Sequence, residues 1–132
     1  MSFRTMHFPG MTINSIDCDG DNATIDIGYA IIVKNMDDAE QDTRWYGKGQ
    51  LKVTELMLDS DDLPPFPAKV SSADVKDNQI TYRDEVIIPI RYHGSVGITL
   101  RFEGFEQPVK FIGEHMKFDL SEHEKYIEHI RN

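Results

Sequence analysis

Apolar and polar residues alternate with a period of two along most of this chain, the spacing of strands that bury one face and wet the other. In "ATIDIGYAIIV", Ile25, Ile27, Tyr29, Ile31 and Val33 share one face, and Thr24, Asp26, Gly28 and Ala30 take the other. In "QITYRDEVIIPIRY" the inward set is Ile80, Tyr82, Val86, Ile88, Ile90 and Tyr92. Asp84 lands on that apolar register, which predicts a bulge or break near Asp84-Glu85. Pro89 falls on the polar face and predicts an edge strand, because proline has no N–H to give to a ladder. "SVGITLRFE" turns Val96, Ile98, Leu100 and Phe102 inward, and the preceding "HGS" reads as the turn of a hairpin over residues 80–103.

Two segments change face partway. "PVKFIGEHMKFDL" passes from Val109 and Phe111 to Met116, Phe118 and Leu120, with Gly113 at the switch as the expected bulge. "TRWYGKGQLKVTELML" passes from Trp45, Leu51 and Val53 to Leu56 and Leu58 near Glu55. Weaker strands fit residues 11–16 and 69–75. The sum is a mainly β chain: an antiparallel β-sandwich or flattened barrel of about seven to eight strands, in one domain over residues 1–132. No helical pattern is interleaved between the strands, which argues against a parallel α/β fold.

The tail departs from this rhythm. Ser121 and Glu124 have the spacing of a capping box, each satisfying a backbone donor at a helix start. Glu122 and Arg131 have the signs that suit the two ends of a helix, and His123, Tyr126, Ile127 and Ile130 make a stripe at helical spacing. A C-terminal α-helix over about 121–131 is therefore predicted, covering one end or edge of the β core. The same stretch, "SEHEKYIEHI", approaches the zinc-protease signature His-Glu-x-x-His. That signature needs histidines four apart on one helix face. Four residues after His123 stands Ile127, and His129, six residues on, lies about 240° away around a helix. One helix cannot chelate an ion with this pair. A composite site from His93, His115 and His123 is the remaining histidine candidate.

A chain of 132 residues can bury a core without cross-links, and Cys18, its single cysteine, has no internal partner. The formal charge of −9 opposes binding to nucleic acid and to anionic membranes, where cations must neutralise phosphates. The start lacks a signal-like apolar run and no stretch has the length of a membrane span, so a cytoplasmic location is expected. The acidic residues gather in loops. Asp17, Asp19 and Asp21 alternate like the start of a calcium loop, yet the sixth and twelfth positions hold Asn22 and Gly28 where an EF-hand needs glycine and glutamate. The Asp-Gly pair there signals a hairpin turn instead, with weak calcium binding by clustered loop aspartates as the residual chemistry.

Ser71, Ser72 and Ser95 lack a nucleophile elbow, and no phosphate loop or cofactor motif is present. Trp45 and Tyr46 are strand neighbours, so they point to opposite faces and one of them is offered to solvent or a partner. The exposed one of Trp45 and Tyr46, and Phe66 in the Pro-rich "LPPFP" loop, are the candidate contact surfaces. The expected function is a non-catalytic binding or protein-interaction module, with a protein partner or self-association. The alternatives are a calcium- or zinc-binding protein, or an enzyme whose site does not show in sequence.

Overall fold

The computed structural model describes residues 3–35, 41–57, 62–121 and 125–131. These form nine strands: β1 (Phe3–Asp19), β2 (Asn22–Asn35), β3 (Gln41–Thr54), β4 (Ala68–Asp77), β5 (Ile80–Arg83), β6 (Glu85–Ile88), β7 (Ile90–Phe102), β8 (Phe105–Leu120) and β9 (Lys125–Arg131). Six of them, in the order β4-β7-β8-β3-β2-β1, close into an antiparallel barrel through the pairs Thr12↔Lys69 and Ile13↔Ala68 between β1 and β4. The architecture is thus a barrel and not a sandwich. Short strands β5 and β6 extend β4 and β1, and β9 pairs with β3. Among the described residues no helix is long and apolar enough to cross a membrane.

The predicted alternation fills the interior. Ile25, Ile27, Leu51, Val53, Ile98, Leu100, Phe111 and Phe118 are all buried, and no described polar or charged residue is. These side chains fill the interior, as in other small barrels. β3 and β4 lie on opposite sides of the ring, and residues 55–57 and 62–67 between them reach one end of it. There Leu56, Leu63 and Phe66 pack on the core, with Phe66 edge-on to Phe102 at 6.4 Å between ring centres.

Bulges decide which residues face out. Ile27 pairs with Gly49 and Ala30 with Gly47, so Gly28 and Tyr29 together oppose Lys48. Beyond this extra residue the facing reverses. Ala30 and Ile32 are buried, whereas Tyr29, placed inward by the alternation, is exposed and stacks on Tyr46 at 5.5 Å. In β7, His93-Gly94-Ser95 is no hairpin turn. The strand runs through it, with Gly94 and Ser95 opposing Glu114 as a bulge. Residues 80–92 are instead divided at Asp84 and Pro89 into β5, β6 and the start of β7.

Asp84, with φ of 66°, stitches β1 to β4. Its carbonyl accepts from the Phe8 N–H at 2.8 Å, its N–H donates to the Ala73 carbonyl at 2.8 Å, and its Oδ1 accepts from the Ala73 N–H at 3.0 Å. β6 then takes the sheet edge beside β1, where Pro89 at its end is tolerated.

The expected C-terminal helix over about 121–131 is not what the chain forms. Lys125–Arg131 is strand β9, antiparallel to Gln41–Tyr46 of β3. β8 leaves β3 at Leu120, opposite Gly49, so the first half of β3 would have one edge unpaired. Satisfying that row of backbone donors and acceptors outweighs a local capping signal. Ser121 turns the chain: its N–H and hydroxyl donate to the Lys48 carbonyl at 2.8 and 2.9 Å, where a helix cap would have spent the side chain on its own backbone. A register shift leaves Ile127 without a partner position on β3. That bulge explains why residues 126, 127 and 130 do not read as an alternating strand.

Candidate metal centre

The barrel wall brings two histidines and two glutamates together where β3, β8 and β7 run side by side. His93 of β7 pairs with His115 of β8, which pairs with Thr54 at the end of β3. Their Nδ1 atoms are 2.8 Å apart, one donating to the other, and the rings meet edge to face with centres 5.0 Å apart. Glu55 follows Thr54 with φ of 56°, which ends β3 and swings its carboxylate toward His115, with Oε2 3.8 Å from Nε2. Glu114 is the fourth member. Ligand atoms of Glu55, Glu114 and His115 all lie within 4.8 Å of one another.

Two glycines permit this arrangement. A Cβ on Gly113 would stand 2.6 Å from the Thr54 carbonyl oxygen, so glycine is what lets β8 press against the end of β3 and sets Glu114 beside Glu55. Gly94 has φ of +112°, and a side chain there would collide with the Asn78 amide. That amide holds the β7 bulge: Asn78 Nδ2 donates to the His93 carbonyl at 2.8 Å, and Oδ1 accepts from the Ser95 N–H at 3.0 Å. The turn between β4 and β5 thereby fixes the backbone that carries His93.

The electrostatics are those of crowded ligands. A hydrogen bond to Glu55, together with repulsion from its charge, holds the Glu114 carboxyl above its ordinary range, and His115 opposes the rise. A hydrogen on His115 Nδ1, donated to His93, would leave the Nε2 lone pair directed at the carboxylates. One imidazole nitrogen and two carboxylates are a donor set for zinc or manganese, with coordination positions left for water or a ligand. Ligand atoms of a tetrahedral zinc site lie roughly 3.3 Å apart, so small side-chain rotations at this exposed site would suffice.

Of the residues singled out from sequence, His93 and His115 are brought together, while His123 lies outside the described residues. Asp17, Asp19 and Asp21 are exposed along the β1–β2 hairpin and share no ligand group with other described residues. The hairpin's Gly20 has φ of +61° at the first central position, as a two-residue turn requires. Tyr46 is exposed. Trp45 packs partly on the core, donates from Nε1 to Thr43 Oγ1 at 2.7 Å, and carries the Lys34 ammonium 4.0 Å above its ring. Phe66 packs on the core, edge-on to Phe102. Glu55 and Glu114 were not selected from sequence. The signals for them were the facing switches at Glu55 and Gly113, which mark where strands bend and side chains converge. Comparisons of the chain with models of protein families, with curated proteins and with solved structures return no match.

Proposed function

We propose that this chain is a non-catalytic binding protein whose outer wall takes a divalent transition-metal ion at His115, Glu55 and Glu114, with His93 orienting the His115 ring. The carrying observation is that ligand atoms of Glu55, just past the end of β3, and of Glu114 and His115 on β8 lie within 4.8 Å of one another, with a second imidazole bonded behind them. The crowded carboxylates support the reading, because a cation would offset the repulsion from Glu55 that raises the Glu114 carboxyl. Among the described residues nothing near the cluster resembles an activated nucleophile, which favours binding over covalent catalysis.

Calorimetric titration of chelator-treated protein with zinc or manganese is the test. One saturable site is expected, lost in His115→Ala and in the Glu55→Gln/Glu114→Gln double variant, and weakened about 10- to 100-fold in His93→Ala. At 100 times Kd the ion should stabilise the fold by about 2.7 kcal/mol. No heat at millimolar metal, or equal binding by the double variant, removes the proposal.

A further inference from the structure

Two residues along the same strands from the histidine pair runs a row of cations. Lys52 of β3 pairs with Lys117 of β8, and Lys117 pairs with Arg91 of β7. Like charges directly opposite one another destabilise a ladder, and this row persists in a chain with 23 acidic residues against 14 lysines and arginines. The two carboxylates that share a groove with these lysines are already engaged. Asp119 is bonded to Arg91, and Asp26 accepts from Asn14 Nδ2 at 3.2 Å. Among the described residues neither Lys52 nor Lys117 has an ion-pair or hydrogen-bond partner. Both line a groove of about 510 Å³ on the barrel wall, together with Lys48, Asn14, Asp26 and Asp119.

We infer that Lys52 and Lys117 bind the phosphate group of a small ligand seated in this groove. Two lysines at directly paired positions lining one groove carry point charges that suit a tetrahedral dianion. A planar carboxylate is better matched by a guanidinium fork, and the Arg91 fork is occupied by Asp119 and by the carbonyls of Ile90 and Phe118. The groove has the size of a small-molecule site, and a single phosphate is enough to occupy the pair; the carboxylates of the adjoining row disfavour a continuous polyanion. The inference does not depend on a bound metal.

The test is a titration with inorganic phosphate in the presence of a chelator, at constant ionic strength, followed by phosphorus NMR or calorimetry. Saturable millimolar binding is expected in the wild type and in His115→Ala. Lys52→Gln/Lys117→Gln should weaken it at least tenfold, whereas Lys52→Arg/Lys117→Arg and the control Lys69→Gln, an exposed lysine on β4, should retain it. Acetate at the same concentration should bind at least tenfold more weakly. Binding that does not saturate, that survives in the glutamine pair, that is lost equally in Lys69→Gln, or that acetate equals would overturn the inference. Circular dichroism of the glutamine pair should match the wild type, since the substitution relieves repulsion; a loss of strand signal would also count against this account of the row.

Discussion

Replacing Asp84 separates two contributions that meet at the seam of the barrel. The side chain accepts the N–H of Ala73, a fully buried residue at 0% exposure, so truncation leaves a buried donor without a partner. That costs about 1–3 kcal/mol. The backbone sits at φ of 66°, a left-handed conformation that aspartate and asparagine tolerate and alanine resists by about 1 kcal/mol more. Asp84→Ala should therefore lose about 2–4 kcal/mol. Asp84→Gly loses the same acceptor but relaxes the backbone, and should recover about 1 kcal/mol after the added freedom of its unfolded state. Asp84→Asn keeps both the acceptor and the conformation and should stay within about 0.5 kcal/mol of the parent. Urea unfolding gives the differences directly, and calorimetry should show melting temperatures falling by about 3–4 °C per kcal/mol in a chain of this size. The order Asn above Gly above Ala is the prediction. If Ala matches Asn, the side-chain bond does not hold the seam; if Ala matches Gly, the backbone carries no strain.

Two pH-dependent outcomes follow. Asp74 is bonded by Arg101 and Arg83, and these hold its carboxyl below the ordinary range, Arg101 most. Its stabilising effect is present above the unfolded pKa and is lost as pH falls through the folded one. Asp74→Asn should thus cost about 1 kcal/mol at pH 7, the low end for charge-assisted bonds at a wet surface, with the gap closing below the ordinary carboxylate range in pH-dependent melts. Burial, helped by Tyr82 and Asp77, raises the Tyr92 phenol to about 12. Folding then loses stability as pH climbs from about 10 to 12, and ultraviolet titration should show one late phenolate step that Tyr92→Phe abolishes.

The strands were legible because burial in a β-sheet leaves its period in the sequence. Val96, Ile98, Leu100 and Phe102 are inward as the alternation requires, and the break at Asp84 follows from one acid on an apolar register. Bulges were harder to place. Gly28-Tyr29 hides in an almost unbroken apolar run, so nothing local says where the facing reverses. Closure between β1 and β4 rests on pairs far apart in sequence, which no local pattern encodes. The tail was misread because Ser121 and Glu124 carry a helix-start signal, while the reason for a strand lies some eighty residues earlier, in the open edge of Gln41–Tyr46. The histidines stood out by type. Their carboxylate neighbours did not, because acids are abundant in this chain and only register selects Glu55 and Glu114.

β9 has a further consequence. A chain trimmed after Ser121 would keep its barrel ring but bare a ready template along Gln41–Tyr46, onto which another molecule's strand could dock. Residues 125–131 thus cover that template, and a chain lacking them should gather into larger species more readily than one that keeps them.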